Sequence, residues 1–283
     1  AIANAATARR LRAARRPGGG TRLACLIAGG SEGVCATGCE TVGGVDTDSV
    51  LELIQQVAAQ VITPRFRKLA SGEVMEKNPG DYVTVADREA EILITDALLA
   101  DDPDVLVVGE EATSSDPMLL NKLEDAQRAF VVDPVDGTKN FVKGRDAHAV
   151  MIAELHAGET VRAWVWQPEF RAAYVAERGA GLYRNGVRVT REPPTRDVSA
   201  LRVLTSRPAD EGRAGRLTVG PSAWCCGVDY PWLAEGEADA IMYQATKPWD
   251  HAPGSLFVEE TGGVVRYADG TPYVAGRAHP GRL

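Results

Sequence analysis

Three short stretches carry oxygen ligands in a pattern suited to hard divalent cations: Gly109-Glu110-Glu111, Asp133-Pro134-Val135-Asp136-Gly137-Thr138 and Trp249-Asp250-His251-Ala252. In the middle one, Phe130-Val131-Val132 reads as a buried strand, and Pro134 and Gly137 force a tight turn directly after it. Both aspartates are then presented from one rigid corner. Carboxylate and backbone carbonyl oxygens are what Mg²⁺ prefers. Two such ions about 3.5–4 Å apart need one carboxylate to bridge them and others to complete each shell. Phosphate chemistry is the usual reason to build such a pair.

The elements that must position these groups follow from pattern. Asp46 and Thr47 offer caps for a helix whose apolar face runs Leu51, Ile54, Val57, Ala58 and Val61, with Pro64 ending or kinking it. Thr84 is the predicted cap of a second helix, with Ala86, Ala90, Leu93 and Ala97 on one side and Asp87 and Glu91 a turn apart. Val105 to Val108 reads as a strand ending at Gly109. Further strands are predicted over 149–155, 161–166 and 172–176, and Asn185-Gly186 is a hairpin signal. After the Pro-rich stretch 191–196 the pattern changes to alternating strand and helix: strands over 201–205 and 240–243, helices over 222–234 and 252–260, and a last strand over 264–267. The predicted organisation is an extension over 1–46, an α+β half over 47–192 and an α/β half over 193–283.

Composition bounds the class. The chain has 283 residues, 45% of them apolar and 25% charged, enough to bury a large core. A net charge of −8 argues against nonspecific nucleic-acid binding, and no apolar run reaches the roughly 18 residues of a membrane span. Five cysteines are too few and too irregularly placed for a disulfide scaffold, so a reducing, cytoplasmic setting is expected. Residues 1–46, rich in Ala, Arg and Gly, read as a disordered or expression-derived extension. Cys35 and Cys39 within it are one pair without a second, a weak metal signal.

Asp81-Tyr82-Val83-Thr84 through Asp87, Gly109-Glu110-Glu111, Asp133 to Thr138, and Trp249-Asp250 followed by Glu260-Thr261-Gly262-Gly263 occur in the order found in the inositol monophosphatase-like, magnesium-dependent phosphatases. The chain resembles that family from about residue 50 to about 268. The resemblance implies a layered α/β/α/β/α sandwich that is commonly a dimer, two or three Mg²⁺ ions, lithium sensitivity and hydrolysis of a small phosphomonoester. It implies that Glu110, Asp133 and the Val135 carbonyl hold the first metal, and that Asp133 bridges to a second held by Asp136 and Asp250. A third cation is implied near Glu110 and Asp87. Asp87 and Thr138 resemble the pair that orients the attacking water, and Gly137 and Thr138 offer backbone N–H groups to the phosphate.

Other residues have blander readings beside the functional one. Asp87 alone would be a solvent-facing helix carboxylate, and Glu111 a supporting or surface group. Lys77 resembles a family lysine near a mobile loop, His251 reads as a helix-start residue, and Cys225-Cys226 as packing. In inositol-hydrolysing members a Gly-Thr-Ala segment and a later glutamate contact the ring; here Gly220-Pro221-Ser222 and Tyr243 are matched to them. Ser222 and Tyr243 are therefore expected at the rim of the substrate cleft, with a phenol in place of a carboxylate. Sugar phosphates, histidinol phosphate, fructose bisphosphate and adenosine bisphosphate stay open as substrates. A noncatalytic phosphate-binding relative is the alternative of a different class, but Asp87, Glu110, Asp133, Asp136, Thr138 and Asp250 are all present.

Overall fold

The computed structural model describes residues 45–279, 281 and 283. The expected extension falls, but for Val45 and Asp46, outside the described residues, as do Cys35 and Cys39. Residues 45–283 form one compact unit. Helix α1 (Thr47–Val57) is capped by Asp46, whose side chain accepts from the Ser49 N–H. It buries Val50, Ile54 and Val57, then runs on through a wider turn (Ala58–Ile62) and a tighter one containing Pro64 before stopping at Phe66. A hairpin of β1 (Val74–Asn78) and β2 (Asp81–Thr84) leads into α2 (Val85–Asp101), where Thr84 and Asp87 form a reciprocal capping box. The buried stripe of α2 is Ala86, Asp87, Ala90, Glu91, Ile94 and Leu98, one residue round from the predicted Leu93 and Ala97.

The main sheet has seven strands in sequence order: β3 (Leu106–Gly109), β4 (Arg128–Asp136), β5 (Ala149–His156), β6 (Glu159–Gln167), β7 (Ala172–Glu177), β8 (Gly181–Arg184) and β9 (Val187–Arg188). All neighbours are antiparallel except β3 and β4. Between those two parallel strands lies the short helix α3 (Glu110–Ser115), and after β4 the five-residue α4 (Thr138–Val142). Ala129 to Asp136 of β4 are all buried, because both sheet faces are covered. Period-two alternation sorts them: Phe130 and Val132 pack with Ile54 and Ile94 of α1 and α2, while Val131 packs on the opposite face with Trp249 and Ala252.

The second sheet is smaller, in the order β11 (Gly212–Ala214), β12 (Leu217–Pro221), β10 (Arg202–Thr205), β13 (Ala240–Met242). Helices α5 (Cys226–Glu235) and α6 (Pro248–Glu260) join the sheets: Tyr230, Leu256 and Phe257 share a core with Met151, Val165 and Tyr174 of the large sheet. The class is the expected layered α/β sandwich, running helix pair, seven-stranded sheet, helix pair, four-stranded sheet. A fifth, helical layer is not among the described elements, because the β10–β12 crossover is only a turn at Pro208–Asp210 followed by β11.

Three sequence expectations change. The predicted helix over 222–234 starts only at Cys226, since the Asp229 carboxylate accepts from the Ala223 N–H and winds the preceding segment into a turn. The helix predicted from Ala252 begins at Pro248, a residue favoured at a first helical position. The predicted last strand over 264–267 makes only an isolated bridge, Arg266 to Pro272.

Candidate active site

The parallel pairing of β3 and β4 brings the first two carboxylates together. Gly109 is in register with Val132, so the residues that follow, Glu110 and Asp133, emerge side by side at the carboxyl ends of adjacent strands. The β4–β5 pairing then slips: Asp133 faces Met151 and Asp136 faces Ala149, leaving Pro134 and Val135 opposite one residue. Such a bulge bends the strand and re-aims its side chains. Gly137 follows with φ +79°, a left-handed turn that glycine adopts without steric cost. Asp250 arrives from the first turn of α6, where an acidic residue is favoured by the helix dipole.

Glu110, Asp133, Val135, Asp136, Gly137, Thr138 and Asp250 line one open cleft of about 200 Å³, together with residues 80–82 and Lys139. Burial and mutual repulsion dominate its electrostatics. Asp133 is raised well above the usual carboxylate range by burial and then by Glu110, Asp136 and Asp250. Asp250 is raised by burial and by Asp136 and Glu110. Burial also raises Glu110 to about 7, although Lys77 opposes it. Lys77 donates to Glu110 Oε1 and to Glu111 Oε1, each at 2.9 Å. Burial pulls the lysine's own pKa down, but the two glutamates more than reverse that.

Among the described residues no protein group donates a hydrogen bond to Asp250, and Asp133 accepts only from the Val135 N–H, at 3.1 Å. Such a set, all oxygen, largely buried, with carboxylates crowded together and few donors on Asp133 and Asp250, fits hard divalent cations. The carboxylates surround the cleft without closing into a single-ion cage.

Supporting contacts fix each member. Asp87, 1% exposed, accepts from the Thr84 N–H at 2.9 Å and from the Thr138 hydroxyl at 3.0 Å. Burial raises its pKa to about 6 against those hydrogen bonds. Asp136 Oδ2 accepts from the Gly227 N–H at 2.6 Å and the Cys225 thiol at 2.9 Å. Glu91 accepts from the N–H groups of Glu111 and Ala112, both at 2.7 Å, and so caps α3 from a neighbouring helix. That approach requires Gly109: a Cβ there would lie 2.2 Å from the Glu91 carboxyl carbon.

Two expected substrate contacts lie elsewhere. Ser222 and Tyr243 are both buried and do not line the carboxylate cleft. Tyr243 stacks on Tyr230 with ring centroids 5.4 Å apart and packs edge-on to His251. An apolar ring between two helices and an edge strand is drawn inward by burial, so a match by position in the chain misplaces it. The segment that faces the carboxylates is Cys225–Gly227 instead. The sequence pattern sets Glu91 a turn from Asp87 without giving it a role, and it gives Asp229 none either. Asp229 is wholly buried and raised to about 7, by burial before anything else. Glu91 could have been found as an acid on the buried stripe of α2, four residues after Asp87.

Comparison with known proteins matches residues 46–280 to the model described as the inositol monophosphatase family. An inositol-1-monophosphatase of Rhizobium meliloti is 31% identical over 225 residues, 75% of this chain and 82% of that protein. The Nus factor SuhB of Vibrio cholerae is 30% identical over 215 residues, 71% of this chain and 78% of that one. The crystal structure of the extragenic suppressor protein suhB from Bartonella henselae superposes with a TM-score of 0.66 at 27% identity, covering 78% of this chain and 88% of that one.

Proposed function

The chain belongs to the inositol monophosphatase family of phosphatases, and we propose that it hydrolyses a small polyol, sugar or related phosphomonoester with the help of magnesium. The observation that carries this reading is the convergence of Glu110, Asp133, Val135, Asp136 and Asp250 on one cleft beside the Asp87–Thr138 pair. Glu110, Asp133 and the Val135 carbonyl would hold one ion, and Asp133, Asp136 and Asp250 a second. When bound, the ions supply charge against the phosphoryl and leaving oxygens and ease deprotonation of water.

The chain's own residues set the rest of the geometry. The Thr138 hydroxyl lies 3.0 Å from Asp87 Oδ1 and 2.9 Å from the Val135 carbonyl. It has one proton to give. When it donates to Asp87, the Thr138 oxygen, which lines the cleft, keeps its lone pairs free to accept. An attacking water then donates to Thr138, which leaves a water lone pair in line with phosphorus. As the P–O bond to water forms, a water proton passes to Thr138 Oγ1 while the threonine proton moves to Asp87 Oδ1. Asp87 is placed to take that proton, and burial makes its carboxylate more basic than an exposed one. The P–O bond to the leaving group breaks, and its alkoxide takes a proton from solvent. The Cys225 and Gly227 contacts hold Asp136 in place throughout.

The test is phosphate release over a panel containing inositol monophosphate, a sugar phosphate, histidinol phosphate, fructose bisphosphate and adenosine bisphosphate, with Mg²⁺ and at matched concentrations. At least one ester should be cleaved in a chelator-sensitive way. Release from none would favour the noncatalytic phosphate-binding reading and overturn this one.

A further inference from the structure

Behind Asp250 lies a second ligand set that phosphate hydrolysis does not use. Cys226, Asp250 and His251 each place one ligand atom within 4.8 Å of the other two, and among the described residues no other three His, Cys, Asp or Glu groups come so close. A tetrahedral ion with bonds of ~2.0–2.3 Å sets its donors ~3.3–3.8 Å apart. Closure therefore draws the most distant pair together by no more than about 1.5 Å.

The imidazole is already oriented. His251 Nε2 lies 2.8 Å from the Ala245 carbonyl oxygen. A carbonyl only accepts, so Nε2 carries the proton and Nδ1 the lone pair, which the Tyr230 hydroxyl meets at 2.9 Å. A ring N–H anchored on a backbone carbonyl is the arrangement that typically stands behind a metal-binding histidine. Tyr230 is the group that must turn aside.

A second, independent observation comes from Tyr243. Its hydroxyl is buried beside Cys226, near enough to donate to a charged sulfur there, yet makes no well-formed hydrogen bond to the neutral thiol, and a buried hydroxyl left short of a partner is destabilising. A thiolate at Cys226 would accept that hydroxyl's proton in a hydrogen bond and end the deficit. Sulfur and imidazole ligands favour zinc and its chemical equivalents over magnesium. Asp250 also lines the carboxylate cleft, which gives an ion a way in.

We propose that Cys226, Asp250 and His251 bind a thiophilic divalent cation of the zinc type, and that this ion takes Asp250 away from the hard-cation site and so inhibits phosphate release. Binding releases the Cys226 thiol proton to solvent. The inhibitory half rests on the reading of Asp250 given under the proposed function; the ligand set does not.

The experiment is titration of the full chain with Co²⁺, followed by optical absorption. Wild type should develop a thiolate-to-cobalt charge-transfer band that Zn²⁺ bleaches. Cys226→Ser should abolish the band, whereas Cys25→Ser/Cys35→Ser/Cys39→Ser together should retain it. No band in wild type, its survival in Cys226→Ser, or its loss in the triple variant overturns the site. Should Cys226→Ser not fold, the triple variant with Cys225→Ala added leaves Cys226 as the one thiol, and loss of the band there overturns the site. In the phosphate-release assay at fixed Mg²⁺, the Zn²⁺ concentration giving half inhibition should rise at least about tenfold in Cys226→Ser, the lower end of what losing even an outer-shell partner costs. An unchanged value overturns the inhibitory coupling. A cobalt band in a chain that cleaves no ester supports the ligand set while overturning the phosphatase reading.

Discussion

Gly109→Ala tests whether Glu91 positions Glu110, because the glycine and the carboxylate occupy adjoining space. The added Cβ would lie 2.2 Å from Glu91 Cδ, 2.4 Å from Oε2 and 2.5 Å from Oε1. Glu91 has two ways out. Withdrawal loses both 2.7 Å bonds to the backbone of α3, at roughly 1.5–3 kcal/mol each for a charged acceptor. Staying and straining the packing costs roughly 1–3 kcal/mol. The cheaper route dominates, so the expected loss of stability is about 1–3 kcal/mol.

Glu91→Ala alone loses the same bonds but leaves room for the methyl. In the double variant the cost of Gly109→Ala should therefore fall close to zero, giving a coupling of about 1–3 kcal/mol between the sites. Urea unfolding of the four proteins at equal m values measures it. Glu110 follows Gly109 directly, so the Mg²⁺ concentration for half-maximal activity should rise in both single variants. Additivity within about 0.5 kcal/mol, with unchanged magnesium dependence, would refute the idea that Glu91 holds the Glu110 turn.

Other expectations follow from the same geometry. Asp133→Asn should abolish phosphate release, whereas Glu111→Gln, which loses only its contact with Lys77, should reduce it far less; equal small losses would misplace the site. Thr138→Ala should lower kcat by roughly 10²–10⁴ with little change in cation affinity measured by calorimetry, and a loss of affinity instead would make Thr138 a structural group. In chelator, stability should fall as pH rises through the window from 3.8 to about 6, because folded Asp87 keeps a proton there that the unfolded chain has released. The shift corresponds to about 3 kcal/mol. Unfolding midpoints that rise with pH across that window would contradict it, and added Mg²⁺ should stabilise the chain more at pH 8 than at pH 5.

Much of the fold was legible because its signals are local. Asp46 and Thr84 cap the helices the sequence suggested, and Asn185-Gly186 turns the expected hairpin with φ of 48° and 79°. The carboxylates were legible for a related reason: Asp133 and Asp136 share one turn, and Glu110 directly follows a strand that ends at Gly109. What the sequence hid depends on contacts between distant segments. Glu91 and Gly109 are 18 positions apart and reveal their relation only when α2 crosses the start of α3. Cys225 and Gly227 reach Asp136 from 89 and 91 positions away. Tyr243 went astray because position in the chain does not tell whether an aromatic faces a cleft or a core. The strand expected over 264–267 has a suitable apolar pattern, but pattern alone supplies no neighbouring strand to pair with.

The most direct test of a bridged, two-cation centre is electron paramagnetic resonance of the full chain loaded with Mn²⁺ in place of Mg²⁺. Two ions sharing the Asp133 carboxylate should give an exchange-coupled spectrum in wild type that collapses to isolated Mn²⁺ in Asp133→Asn. Binding of no more than one uncoupled ion to wild type, or a coupled pair that survives Asp133→Asn, would contradict the assignment.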